Sequence, residues 1–394
     1  MIIKNILDQD LYKLSMQNAI LELFPNSQAE YRFTNRGNQN FKNEDFIKEL
    51  KQEVFNMRYL KLHSDQAEWL SKTCPYLKPQ YIEYLKNYKF DPSQVKILFK
   101  NDQLDIKIKG PWYSTILWEV PLMAIISELY FKIIEKNWHY NNANIQSRAS
   151  EKFQKLSNNN CLFADFGTRR RRSFEIQNTI IETFAKLKNQ NNTNFVGTSN
   201  VYLAYKNDLK PIGTCAHEWI QGMQVLESFN HCNYFAMQNW VKIYNTALGI
   251  FLTDTITTDM FLKNFNRRFA MLFDGIRHDS GDPFIFVKKI VEKYKELNIN
   301  PLSKTVIFSD SLNVEKALIL KEYCRNKINC SFGIGTNFTN DFDNSPPLNM
   351  VIKLWSINNF PVVKLSDVKG KENGDPKAIE IMKWIIKQNN EIKE

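Results

Sequence analysis

The run Cys161-Leu162-Phe163-Ala164 passes directly into Asp165-Phe166-Gly167-Thr168-Arg169-Arg170-Arg171-Arg172, a short apolar stretch ending in a charged, glycine-containing loop. The same pattern recurs at Phe195-Val196, Ile212, Gly249 to Leu252, Met271 to Phe273, Val306 to Phe308 and Ser331 to Ile334. Stretches long enough for helices of ten or more residues separate most of these runs, and alternation of buried strand and helix is the signature of parallel α/β architecture. Nine of the 13 glycines fall between Gly167 and Gly335, most in the strand-end loops. In a parallel barrel such loops share one face, so these loops converge on one pocket.

Outside this region the pattern changes. Asp10 is placed to cap a first helix carrying Leu11, Leu14, Ile20, Leu21 and Phe24, and Ala29 to Phe33 reads as a strand. Val95 to Lys109 reads as a hairpin around Asn101-Asp102. Asn189 to Asn194 reads as a surface loop. Met350 to Leu354 with Pro361 to Leu365 predicts a second hairpin, and Pro376 to Lys387 a final helix. The expected organisation is an α/β sandwich domain over residues 1–115, completed by 345–394, packed against an irregular α/β barrel over 116–344.

Composition limits the class. At 394 residues, with 43% hydrophobic and 13% aromatic residues, the chain is a folded protein of more than one ordinary core. No apolar run reaches the roughly 18 residues that spanning a bilayer takes. The six cysteines show no CxxC pair, which suits reduced thiols in a cytoplasmic protein. A net charge of +10 admits nucleic acid, an anionic surface or phosphorylated ligands. Lys288, Lys289, Lys293 and Lys295 read as solvated helix surface.

Four features carry chemistry. The arginine run is either a basic surface loop able to bind nucleic acid, or an anion site beside a helix starting near Ser173, whose N–H groups would face the anion. His217 follows Gly213-Thr214-Cys215-Ala216 at a helix start, with Glu218 and loop carboxylates available to orient its ring. Arg277-His278-Asp279-Ser280-Gly281-Asp282-Pro283 gathers a cation and carboxylates around glycine, with Asp282 as a helix cap; a plain βα turn is the alternative. Gly333-Ile334-Gly335-Thr336 is a weak phosphate-loop pattern. There is no GxxxxGK[ST] sequence and no zinc-type spacing.

Taken in order, Asp10-Leu11-Tyr12-Lys13, Ala29-Glu30-Tyr31-Arg32-Phe33, Asp165 to Arg171, Gly197-Thr198-Ser199-Asn200, Gly213 to Glu218 and Arg277 to Pro283 resemble the nicotinate phosphoribosyltransferase family over almost the whole chain. The resemblance implies a type II phosphoribosyltransferase fold, a homodimer with shared active sites, and ATP-dependent phosphorylation of His217. It implies that Phe166 and a partner subunit's Tyr12 sandwich the pyridine ring. Ser199, Thr214 and Arg277 would lie near the ring and its carboxylate, and Arg169, Asp310, Gly333, Gly335 and Thr336 would line the phosphoribosyl side. Asp279 or Asp254 would stabilise charge at the ribose C1, and Mg2+ would neutralise pyrophosphate, its ligands unassigned. The substrates implied are nicotinate, phosphoribosyl pyrophosphate and ATP. The related nicotinamide enzymes place an aspartate where this chain has Ser199, which favours nicotinate. Neither Cys215, expected to serve packing, nor Arg172, expected to face solvent, has an assigned role.

Overall fold

The computed structural model describes residues 1–100, 103–136, 140–191, 194–368 and 370–391. Two sheets organise it. The first has five antiparallel strands: β1 (Gln28–Asn35), β2 (Val95–Lys100), β3 (Gln103–Pro111) and, from the far end of the chain, β10 (Met350–Ile357) and β11 (Phe360–Pro361), in the order β11-β10-β1-β3-β2. The β2–β3 hairpin forms with Ile97 opposite Ile106; its turn, Asn101-Asp102, lies outside the described residues. β10 pairs with β1 from Ala29↔Ile357 to Asn35↔Met350, so residues more than 300 apart in sequence share one ladder. Its expected hairpin partner shrinks to the two residues of β11, after which Lys364 pairs with Asn373.

The second sheet has six strands: β4 (Leu162–Asp165), β5 (Phe195–Thr198), β6 (Ile250–Leu252), β7 (Gly275–His278), β8 (Thr305–Phe308) and β9 (Asn329–Ile334). All its pairs are parallel, in the order β5-β4-β9-β8-β7-β6. Between the outer strands β5 and β6 lies the segment 211–214. Ile212 N–H donates to Thr198 O at 2.8 Å, and Thr214 Oγ1 donates to Ile250 O at 2.6 Å. That segment stands where another strand would close the ring, which makes the barrel irregular.

Several local expectations are corrected. Met271 to Phe273 is not a strand: the helix Arg267–Leu272 buries Phe269 and Ala270 and leaves Met271 63% exposed, and the strand follows at Gly275–His278. Gly275 is required there, because a Cβ would lie 1.9 Å from Thr305 O on the neighbouring strand. The helix Phe174–Asn191 runs into the expected loop at Asn189, and Asn192 and Thr193 lie outside the described residues. The last helix, Pro376–Glu391, is longer than its apolar pattern.

One apolar core runs continuously through both layers. Trp112, just past β3, stacks on Trp219 at 6.4 Å, and Trp219 meets Trp240 edge-on at 5.5 Å. The packing depends on Gly222, where a Cβ would come within 2.3 Å of the Trp112 ring. This aromatic seam presses the helix His217–Leu226 onto the first sheet and so fixes the position of its first residue, His217.

Candidate active site

The strand-end loops of the parallel sheet and the facing surface of the first sheet enclose a cavity of about 440 Å³. Its wall carries Tyr12, Phe166, Arg169, Ser199, His217, Arg277, Asp279, Gly335 and Thr336. Two carboxylate staples hold the loops. Asp165 accepts from Gly167 N–H at 2.9 Å, Thr198 Oγ1 at 2.7 Å and Gln177 Nε2 at 2.9 Å, joining the ends of β4 and β5. Burial raises its pKa to about 6 against those hydrogen bonds. Asp10 occupies the N-cap position of the helix Leu11–Leu23 but makes no side-chain cap; it accepts from Ser199 Oγ at 2.7 Å instead.

His217 is buried, with its ring held from several sides. Nδ1 lies 3.0 Å from Thr255 Oγ1, and Nε2 lies 2.9 Å from both Asp279 Oδ2 and Lys364 Nζ. Asp254 stands behind the cavity wall, with Oδ1 at 3.7 Å from Nε2 and Oδ2 accepting from Lys364 Nζ at 3.0 Å and Ser280 Oγ at 2.6 Å. Burial first, and the Lys364 ammonium second, push the His217 pKa down to about 4 against the two carboxylates, so the ring is neutral near pH 7. Burial opposes ionisation of both aspartates, but neighbouring charges outweigh it: Arg277 leads in holding Asp279 well below its usual range, and His217 and Lys364 lower Asp254. Glu218 does not orient the histidine. Also on the cavity lining, it is held by other partners, accepting from Trp112 Nε1 at 2.9 Å and from Tyr31 and Lys13.

The arginine run divides. Arg169 and Arg170 line the cavity, whereas Arg171 and Arg172 are buried and form no surface patch. Arg171 makes a two-pronged pair with Asp8 at 2.7 Å on each prong. Arg172, expected in solvent, donates to Ser345 and lies 3.5 Å from the Phe131 ring centre. Nor does the helix Phe174–Asn191 offer its N-terminus to a ligand, because Phe174 N–H already donates to Glu128 at 2.9 Å.

Other expected residues stand back from the cavity. Thr214 has its hydroxyl on the Ile250 carbonyl. Gly333 lies under Phe166, where a Cβ would meet the ring at 2.3 Å. Asp310 lines a neighbouring cavity of about 300 Å³ with His278. Cys215 is buried, burial raises its thiol to about 12, and its carbonyl accepts from Arg277 at 3.2 Å. The chain's own Tyr12 lies on this wall. Sequence reasoning missed Asp10, Glu119 and Lys353 on the wall and Lys364 behind His217. Lys364 did leave a signal: it is a lone cation in the apolar run Val362 to Leu365.

Architecture and cavity together define a type II phosphoribosyltransferase. Residues 161–389 match the nicotinate phosphoribosyltransferase (NAPRTase) family and residues 7–127 its N-terminal domain. The chain is 48% identical to a nicotinate phosphoribosyltransferase of Methanosarcina acetivorans over 98% of each chain. It superposes with a TM-score of 0.92 on a nicotinate phosphoribosyltransferase from Porphyromonas gingivalis, 40% identical and covering 97% of this chain and 98% of that one. A putative nicotinate phosphoribosyltransferase from Saccharomyces cerevisiae gives a TM-score of 0.93 at 38% identity, covering 97% of each chain. The chain belongs to the nicotinate phosphoribosyltransferase family, as an enzyme of pyridine nucleotide and NAD biosynthesis.

Proposed function

We propose that the enzyme joins nicotinate to the ribose of phosphoribosyl pyrophosphate, and that ATP phosphorylates His217 to drive the reaction. The observation that carries this is the buried His217 ring, held between Asp279 and Lys364 in a cavity that also presents Arg169, Arg170 and Arg277. A neutral imidazole has a lone pair for the γ-phosphorus of ATP: a P–N bond forms, the bond to ADP breaks, and water later releases phosphate. In the transfer step the pyridine nitrogen bonds to C1 of the ribose as the C1–O bond to pyrophosphate breaks. Phe166 and Tyr12 face the ring, Ser199 and Arg277 its substituent, and Arg169, Gly335 and Thr336 the phosphoribosyl group. Asp279 stabilises the cationic ribose.

Magnesium fits the donor set in part. His217, Asp254 and Asp279 place ligand atoms within 4.8 Å of one another, and Asp254 Oδ1 is buried without a hydrogen-bond partner. Lys364 already fills the position beside Asp254 Oδ2. Asp254 and Asp279 would hold the ion, which would supply charge neutralisation to the leaving pyrophosphate. The homodimer and the cytoplasmic setting belong to the same proposal. No helix among the described residues is long and apolar enough to cross a membrane, and all six cysteines are unpaired.

One observation favours a second reading. The Asp10 carboxylate beside Ser199 offers an acceptor to an amide NH₂, which suits nicotinamide. Burial raises the Asp10 pKa, however, and Arg169 and Arg277 stand in the same cavity for a carboxylate. Mononucleotide formation with each base, measured as kcat/KM with phosphoribosyl pyrophosphate, Mg2+ and ATP, tests the assignment. Preference for nicotinate supports it; preference for nicotinamide overturns the substrate.

A further inference from the structure

Three sequence motifs contain a charged or polar residue with no part in the chemistry above: Lys13 after Tyr12, Tyr31 in β1, and Glu218 after His217. The fold brings them together. Lys13 is fully buried between two carboxylates, 2.6 Å from Glu119 Oε2 and in contact with Glu218. Glu218 is further held by Tyr31 and Trp112. Glu119 reaches the cavity from the helix Glu119–Leu129, and its other oxygen, Oε1, accepts from Arg169 Nη1 at 3.1 Å. That is the only hydrogen bond between this carboxylate and Arg169, whose side chain stays 38% exposed on the cavity wall.

An arginine and a carboxylate prefer two parallel hydrogen bonds, which use both carboxylate oxygens. Here Lys13 holds the second oxygen. We propose that Lys13 is a positioning residue: by occupying Glu119 Oε2 it prevents Glu119 from capturing Arg169 in a two-pronged pair, and so leaves the guanidinium free for a phosphate or pyrophosphate group in the cavity. Without Lys13, Glu119 keeps a buried anionic oxygen whose nearest remaining cation is Arg169. The arginine turns toward it, and the cavity loses both a donor and a positive charge. Burial alone would raise the Glu119 pKa, but Lys13 first, then Arg169 and Lys353, hold it down to about 2; without Lys13, Arg169 and Lys353 are the cations left to hold the charge, and Arg169 is the one already in contact.

This rests on the phosphoribosyl reading of the cavity, and direct binding separates the two. Inorganic pyrophosphate is titrated calorimetrically into wild type, Lys13→Met and Lys13→Met/Glu119→Gln, with the fold of each checked by circular dichroism. Lys13→Met is expected to weaken binding by about tenfold or more, the cost of losing a hydrogen bond to a charged group. The double variant, whose glutamine cannot form the two-pronged pair, is expected to recover most of that loss. A purely structural lysine predicts no recovery. Glu119→Gln alone serves if Lys13→Met does not fold: binding as tight as wild type or tighter supports the proposal, and weaker binding overturns it. Unchanged affinity in a folded Lys13→Met also overturns it while leaving the phosphoribosyl reading intact. A wild type that binds no pyrophosphate overturns both.

Discussion

The enzyme contains two buried clusters of charge, and they are built on opposite principles. Around Glu218 the charges are closed on one another: each Glu218 oxygen has a donor, and Lys13 has two carboxylates. Around His217 the accounts are left open. Asp254 Oδ1 and Arg277 Nε are buried without hydrogen-bond partners, and Nε2 of His217 faces an anion and a cation at the same 2.9 Å. A closed cluster gains nothing from a ligand, whereas an open one carries a desolvation cost that a ligand relieves. The first therefore ties the helix His217–Leu226 to the first sheet, and the second is the cluster we propose for the chemistry.

Substitutions sharpen this contrast. Glu218→Gln leaves Lys13 short of one anion in a fully buried place, and the expected loss is about 3 to 5 kcal/mol of stability. Chemical denaturation measures it, and a change near zero would remove the Glu218 cluster from its structural role. Asp279→Asn should lower kcat about 100-fold, because the carboxylate at His217 Nε2 is lost, with a smaller loss of stability than Glu218→Gln because the Asp279 side chain is 27% exposed. An equal fall in stability would make the two clusters alike.

The smallest effect concerns pH. With a pKa near 4 rather than the ordinary 6.5, the folded His217 binds its proton later than the unfolded chain does as pH falls. Stability from the neutral ring is therefore full above about pH 6.5 and declines as pH falls toward about 4. Lys364→Met removes a cation and leaves two carboxylates, so the His217 pKa rises. The acid limb of the phosphorylation rate should move up by about one unit, the scale of a single neighbouring charge. An unmoved limb would show that Lys364 does not set the ionisation of this ring.

The same contrast explains what was legible in the sequence. The parallel sheet was readable because strand runs such as Val306 to Phe308 are apolar and end in loaded loops. β7 was missed because in Gly275-Ile276-Arg277-His278 Arg277 faces the cavity and His278 packs on Phe286 and Phe308, so the strand loses its apolar pattern, while Met271 to Phe273 supplied a false one at the end of a helix. His217, Asp279 and Arg169, which line the cavity, were singled out from local motifs. Lys364 and Glu119 were not, because each acquires its role from a partner distant in sequence, Lys364 from His217 and Glu119 from Arg169. The four arginines read alike, yet burial against Asp8 and Phe131 takes Arg171 and Arg172 out of the site.

The central claim is that His217 is the residue ATP phosphorylates. Wild type and His217→Ala, each incubated with Mg2+ and ATP labelled at the γ-phosphate and quenched in alkali, test it directly. The account predicts alkali-stable, acid-labile label on the wild-type chain and none on the variant; label absent from the wild type, or retained by His217→Ala, would contradict it.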